Sequence, residues 1–245
     1  MTQTYFIPDK MRVYAIGDIH GMAKMLDHMH EEIAIDLVKH PVEHPVIVYL
    51  GDYIDRGDEN SRVIEILAER QNMNDGVEKH FLMGNHEDAV LNFMDDPHAI
   101  ISWLEYGGIE TIRDYGIEFD KKIASEGDIE DVARKLKAAV PPSHLAFLRS
   151  LDVKLEIGDY IFVHAGIHPQ RRLEDQKRHD LLMIREPFLS YGGPFPKRVV
   201  HGHTPVKTPD IRHNRLNMDT GAVYGGALSC AVLESDQTRV LQVNN

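Results

Sequence analysis

Apolar residues recur along this chain with two different periods. Residues 12–16 form a short apolar run of the kind that makes a strand. After Gly21 the spacing changes, and Met22, Met25, Leu26, Met29, Ile33 and Leu37 fall on one face of a predicted helix. His40-Pro41 and His44-Pro45 are expected to close it. Residues 46–50 are continuously apolar and β-branched, as in a strand buried on both faces. Val63, Ile64, Leu67 and Ala68 predict a second helix, capped by Asn60 or Ser61. Residues 81–83 predict a third short strand. Strand, loop and helix thus alternate, which is the order of an α/β protein. In open α/β sheets ligands bind at the C-terminal ends of the strands.

The stretch from about residue 87 to 151 lacks long β-branched runs. Ile129, Val132, Ala133 and Leu136 have helical spacing, and Pro141-Pro142-Ser143 opens another expected helix. This stretch reads as a mostly helical insertion over one edge of the site at the strand ends. Beyond it the chain is rich in strand patterns. Residues 153–157 and 160–163, joined by Gly158-Asp159, read as a hairpin leading into His164. Val199-Val200 leads into His201-Gly202-His203, and residues 227–233 and 239–243 read as a closing pair of strands. No internal repeat or linker interrupts the pattern, so a single domain over residues 1–245 is expected.

Composition narrows the possible functions. At 245 residues and 42% hydrophobic, the chain can bury a large core. A formal net charge of −12, without basic runs, argues against a nucleic-acid-coating surface. No apolar stretch reaches membrane-spanning length, and residues 1–8 lack the basic and apolar regions of a signal peptide. Cys230 is the only cysteine, so no intrachain disulfide forms. Together these features lead to the expectation of a cytoplasmic protein without a membrane partner. Asp236 stands six residues after Cys230, where a cysteine-based phosphatase would need an arginine. Residues 17–25 do not match a P-loop.

Five segments place metal-binding side chains at the ends of apolar runs. They are Gly17-Asp18-Ile19-His20-Gly21, Gly51-Asp52-Tyr53-Ile54-Asp55-Arg56-Gly57, Gly84-Asn85-His86-Glu87, His164-Ala165-Gly166 and Gly202-His203-Thr204. They offer oxygen donors and imidazoles but no thiolate, a set suited to Mn²⁺, Fe or Zn²⁺. Asp52, on a glycine directly after a buried strand, is the natural bridge between two cations roughly 3.5–4 Å apart. Asp18 and His20, two residues apart, can point the same way from an extended segment. Asn85 can add a carbonyl oxygen, and His164 and His203 imidazole nitrogens. Two divalent cations outweigh the carboxylates of Asp18 and Asp52, so the pocket stays positive and attracts a phosphoryl group. Water bridging the two metals would be acid enough to attack as hydroxide near neutral pH. Arg56 and Arg185 are the candidates for holding phosphate oxygens, with Arg178 a weaker rival to Arg185. His86 could protonate the leaving oxygen, with Asp55 fixing its tautomer. Glu87 reads as a helix N-terminal stabiliser, His201 as structural, and Asp219-Thr220-Gly221-Ala222 as support near the site.

These motifs resemble the phosphoprotein phosphatase family of calcineurin-like metallophosphoesterases. That family includes Ser/Thr protein phosphatases, bacterial and phage relatives, and diadenosine tetraphosphatases. The resemblance spans about residues 13–222. It implies an α/β fold of two mixed β-sheets packed as a sandwich and flanked by helices, with the site at the strand ends. It implies one metal on Asp18, His20 and Asp52, and a second on Asp52, Asn85, His164 and His203. It also implies His86 as general acid paired with Asp55, phosphate binding by Arg56 and Arg185, and direct in-line attack by metal-bound hydroxide without a phosphoenzyme. Mn²⁺ is the first metal expected, with Fe, Zn²⁺ or Ni²⁺ as alternatives. His164-Ala165-Gly166 departs from the two glycines that follow this histidine in eukaryotic members, and the segment around Arg185 matches less sharply.

The motif around Asp52, His20 itself, and the glutamate ending Gly84-Asn85-His86-Glu87 resemble the protein-phosphatase branch. The diadenosine tetraphosphatase branch often carries glutamine in place of His20 and aspartate in place of Glu87. Phosphoserine and phosphothreonine in proteins, or small phosphoesters, are therefore the first expected substrates. Dinucleoside tetraphosphates are the alternative. A catalytically dead binding protein is a minor one, since every expected ligand position is filled.

Overall fold

The computed structural model describes residues 4–119 and 125–244. The first half alternates as predicted: β1 (Met11–Ile16), α1 (Ala23–Lys39), β2 (His44–Tyr49), α2 (Asn60–Gln71) and β3 (Glu78–Phe81). A helical stretch follows, with α3 (Asn85–Asp95), a short 3-10 turn (Ile101–Glu105), α4 (Gly108–Asp114), α5 (Glu126–Ala139) and α6 (Pro142–Arg149). The second half contains β4 (Lys154–Ile157), β5 (Tyr160–Val163), α7 (Arg178–Met183), β6 (Arg198–His201), β7 (Asp210–Ile211), β8 (Arg215–Asn217), β9 (Leu228–Glu234) and β10 (Gln237–Val243). Among the described residues, no helix is long and apolar enough to cross a membrane.

The strands form two mixed five-stranded sheets, ordered β10-β9-β1-β2-β3 and β4-β5-β6-β8-β7. β1 and β2 run parallel, as do β2 and β3, whereas β9 is antiparallel to both β1 and β10. In the second sheet β5, β6 and β8 are parallel, and β4 and β7 close the edges antiparallel.

Strand periodicity explains how the sheets pack. In β1, Val13 and Ala15 turn one way and meet Val46, Val48, Tyr160, Phe162, Val200 and Leu216 in a core between the two sheets. Tyr14 and Ile16 turn the other way, onto Met25, Leu26 and Met29 of α1 and Val63 and Leu67 of α2. The outer face of the second sheet, with Ile161, Val163 and Val199, is covered by Leu181, Ile184, Phe188 and Phe195. A fully buried residue of this kind stabilises by about 1.5–3 kcal/mol relative to exposure. Because both faces of β1 and β2 are covered, their sequences read as continuous apolar runs.

Three sequence expectations shift. The third strand lies at Glu78–Phe81 rather than 81–83; Leu82 makes only an isolated bridge to Asp152. His44-Pro45 does not end a helix but opens β2, because α1 has already stopped at Lys39. Pro45 is tolerated there because pairing with β3 starts only at Val46, so its missing N–H costs no ladder bond on that side. Neither Asn60 nor Ser61 caps α2 with its side chain. Asn60 is buried and donates to the Gly57 carbonyl at 2.7 Å, while the Ser61 N–H is accepted by Asp114 of α4 at 2.5 Å. This cap comes from 53 residues away and leaves no local signature.

The hairpin of β4 and β5, the closing pair of β9 and β10, and the core positions Ile129, Val132, Ala133 and Leu136 of α5 stand where expected. The stretch predicted as mostly helical at 87–151 carries helices and turns but no strand among its described residues; residues 120–124 of it lie outside the described residues. The periodicity did not predict α7 or the two-residue β7, both too short to show a pattern.

Candidate active site

The five motif segments leave the C-terminal ends of β1, β2, β3, β5 and β6 and converge. Their backbones are strained in a telling way. Seven non-glycine residues among those described have a left-handed φ, and five are site residues: His20 (46°), Asp52 (53°), Asp55 (75°), Arg56 (70°) and His203 (66°). Each such residue costs of order 1–3 kcal/mol and persists only where the surroundings hold it. Here the holding is visible. Glu87, fully buried at the start of α3, accepts from the backbone N–H groups of Asp52 and Gly84 at 2.9 Å and of Tyr53 at 2.8 Å. Glu87 thus joins the loop after β2 to the helix N-terminus, a wider role than the local one expected. Its own carboxyl is pushed up to about 7 by burial and by nearby Asp52.

Two glycines let these segments touch. A Cβ on Gly84 would stand 2.1 Å from Asp52 Oδ1, and one on Gly202 would stand 1.9 Å from Asp18 Oδ1. No other residue type leaves room for those carboxylates.

Asp52 lies at the centre. Its carboxylate joins two groups whose donor atoms lie within 4.8 Å of one another: His20, Asp52 and His86, and Asp52, His164 and His203. Asp52 Oδ2 is 3.6 Å from His20 Nε2, 3.8 Å from His86 Nε2 and 3.3 Å from His164 Nε2. Asn85 Oδ1 enters the second group, 3.0 Å from His164 Nε2 and 2.8 Å from His203 Nδ1. Asp18 approaches from the side, accepting the His203 N–H at 3.0 Å on Oδ2. His86, expected beside the ligands, thus lies within the first group, whereas Asp18, expected with His20 and Asp52, lies in neither group and accepts the His203 N–H.

Outer hydrogen bonds set the imidazoles. His20 Nδ1 lies 2.7 Å from the Ile54 carbonyl and His164 Nδ1 lies 2.9 Å from that of Leu50. In both, Nδ1–H donates outward and Nε2 is left facing Asp52, the arrangement seen in metal-ligating histidines. The result is a buried set of converging oxygen and imidazole donors with no thiolate, which fits divalent cations of the Mn²⁺, Fe or Zn²⁺ type. The electrostatics agree. Burial opposes charge on Asp52, but His164, His86 and His20 draw its pKa well below the usual range. Burial likewise opposes charge on His164, yet the Asp52 carboxylate raises it to about 10. Burial lowers His20 and His203 to about 3. Asp18 is driven upward by burial and by Asp219.

The Asp55–His86 pair is closed off from solvent. Asp55 Oδ2 receives His86 Nδ1–H at 2.5 Å and Trp103 Nε1–H at 2.5 Å, and Asp55 Oδ1 receives the Thr111 hydroxyl. Thr111 Oγ1 also accepts the Asp55 N–H at 3.1 Å. Desolvation works against protonated His86, but Asp52 and Asp55 outweigh it and raise its pKa. Arg56 bonds to the Nε2 atoms of both His20 and His86, the latter at 2.8 Å. Its backbone N–H donates to the Gly107 carbonyl at 3.2 Å.

From this cluster a cleft of about 650 Å³ runs between α3 and α7. Arg56, Asn85, His86 and His203 form its inner end, and Trp103, Tyr106, Arg178, Met183 and Arg185 line its walls. Arg185 therefore reaches the site. Arg178 shares the wall but is paired with Asp88 at 2.7 Å. His201 is buried and packs edge-on against Phe188, 4.9 Å between centroids, as a structural residue would. Asp219 accepts the Gly221 N–H at 3.0 Å, consistent with a supporting turn. Trp103, Thr111 and Gly107 escaped the sequence reading. They lie about 50 residues from their partners, and the only hint was that Trp103 is the sole tryptophan.

Residues 11–234 match the family of calcineurin-like phosphoesterases. This chain belongs to that family. The calcineurin-like phosphoesterase is 25% identical to the bis(5′-nucleosyl)-tetraphosphatase PrpE [asymmetrical] of Geobacillus sp. (strain WCH70), with 89% of each chain covered. Its fold is similar to a crystal structure named provisionally as a diadenosine tetraphosphatase, at a TM-score of 0.64 and 20% identity, with 99% of this chain and 100% of that one covered. It is also similar to a cold-active protein-tyrosine phosphatase of Shewanella sp., at a TM-score of 0.60 and 16% identity, covering 98% and 83%. The phosphoesterase is accordingly a metal-dependent hydrolase with the expected fold of two mixed sheets flanked by helices.

Proposed function

We propose that this phosphoesterase hydrolyses dinucleoside tetraphosphates asymmetrically, leaving a nucleoside monophosphate and a nucleoside triphosphate. The likeness to tetraphosphatases of that name over 89% of both chains carries this reading. It takes the place of the phosphoprotein substrate expected first from the motif around Asp52. The cleft supports it. About 650 Å³ lined by aromatic and cationic side chains suits a ligand with rings and several phosphates.

The proposed roles are those the motifs imply. Asp18, His20 and Asp52 would hold one cation, and Asp52, Asn85, His164 and His203 a second, with Mn²⁺ as the proposed ion. Bound there, the cations supply positive charge to the phosphoryl oxygens and lower the pKa of an attacking water. Arg56 and Arg185 fix the phosphate oxygens from the cleft side. As the water oxygen bonds to phosphorus, the bond from phosphorus to the bridging oxygen breaks. His86 delivers the proton that this oxygen needs, and Asp55 holds His86 with Nε2 facing the site. Asp52 and Asp55 shift His86 upward, the direction a proton donor needs.

The test compares diadenosine tetraphosphate, a phosphothreonine peptide and p-nitrophenyl phosphate, using protein stripped of metal and then given Mn²⁺. Preference for the dinucleotide, with ATP and AMP as products, is expected. Preference for the peptide would overturn the substrate, and no turnover of any of the three would favour a binding protein.

A further inference from the structure

Tyr224 belongs to none of the groups above, yet it stands beside them. It sits at the tip of the turn between β8 and β9, is 64% exposed, and has Arg56 Cζ 5.8 Å from its ring centroid. A ring this exposed adds little to folding. The turn nevertheless holds it firmly. The N–H groups of Tyr224 and Gly226 both donate to the Gly221 carbonyl, at 2.8 and 3.0 Å. Thr220 Oγ1 ties the two ends through Ala227 O at 2.6 Å. Gly221 and Gly225 adopt φ of +68° and +84°, values that leave an ordinary side chain strained.

Arg56 therefore borders two unequal spaces. One is the long cleft, which Arg178 and Arg185 line and Tyr224 does not. The other is the solvent beside the exposed Tyr224 ring, whose centroid lies 5.8 Å from Arg56 Cζ. We infer that these spaces divide the substrate: Tyr224 stacks on the nucleobase of the monophosphate half, while the cleft takes the triphosphate half. A base joined through a single phosphate to a phosphoryl group on Arg56 lies within reach of the ring. Three phosphates and a second nucleoside need the room and the cations of the cleft. Every base offers a π-face, so such a platform tolerates any nucleoside. The inference rests on the substrate reading above.

Binding to the Mn²⁺-loaded protein tests it, with AMP and a non-hydrolysable methylene analogue of ATP as probes. Tyr224→Ala is expected to weaken AMP about tenfold and the ATP analogue less than about twofold, and Tyr224→Trp to restore AMP binding, since one base–aromatic stack is worth about this much. A thermal melt confirms that the variants fold. If wild-type protein hydrolyses the dinucleotide but Tyr224→Ala binds AMP unchanged, or weakens both probes equally, this inference alone is overturned. If wild-type protein prefers the phosphopeptide and binds neither nucleotide, the substrate reading falls and this one with it.

Discussion

Asp52 and Asp55 are three residues apart on one loop, and both are buried with left-handed backbones, yet they are held by different means. Asp52 is fixed from nearby strand ends, by the Glu87 carboxylate on its N–H and by the bare backbone of Gly84 against Oδ1. Three histidines surround its carboxylate. Asp55 is fixed by the helical stretch, through Trp103 and Thr111, and has one histidine partner. The half proposed to hold the cations is thus built from short segments at the strand ends. The half proposed to deliver the proton depends on long-range donors. Changes in the first half should remove metal, and changes in the second should spare metal and slow the chemistry.

The sharpest break is Asp52→Asn. It should lose bound metal and turnover together, by on the order of 10³-fold, since metal activation is worth several kcal/mol at about 1.4 kcal/mol per tenfold. Metal analysis alongside kinetics checks this, and two tightly bound cations in the variant would contradict the role of Asp52. Next, His86→Asn should keep both cations while kcat falls about 10²–10⁴-fold. Unchanged turnover in metal-replete protein would remove His86 from the mechanism.

Trp103→Phe sharpens the contrast. It deletes one donor to Asp55 and keeps most of the packing against Phe93. A hydrogen bond to a charged group is worth about 1.5–3 kcal/mol, so kcat should fall about tenfold with metal content unchanged. Loss of metal from this variant would erase the division between the two halves.

The smallest effect is expected far from the site. Asp36 of α1 accepts from Tyr14 at 2.6 Å and from Arg239, with Arg12 at 3.5 Å. Burial opposes its ionisation, but Arg239, Tyr14 and Arg12 prevail and lower its pKa. Such a group adds stability above the unfolded carboxylate value and loses it as pH falls through the lower folded value. Asp36→Asn should therefore cost about 1–2 kcal/mol at neutral pH in urea unfolding, less in acid, with turnover nearly unchanged. A cost that grows in acid would reverse the sign.

The same division explains what could be read from sequence. Each candidate ligand at a strand end is announced within its own segment by a glycine, an apolar run and a donor, so the convergence of Asp18, His20, Asp52, Asn85, His164 and His203 at one edge was legible. Alternation in β1 and helical spacing in α1 and α5 were visible for the same local reason. Trp103 on Asp55, Asp114 on the start of α2, and Tyr224 beside Arg56 were not, because each acts across the fold. Arg185 was only half legible: its segment is recognisable, but its place on the cleft wall is set by α7, which is too short to show a period. The motif around Asp52 favoured a phosphoprotein, whereas similar chains are named tetraphosphatases; a shared fold and metal motif do not by themselves set the substrate.

The most direct measurement is turnover of diadenosine tetraphosphate as a function of Mn²⁺ bound per chain, starting from stripped protein. Two cations per chain, with turnover rising only as the second site fills, is the predicted result. Full turnover with one cation or none would contradict a site centred on a shared Asp52.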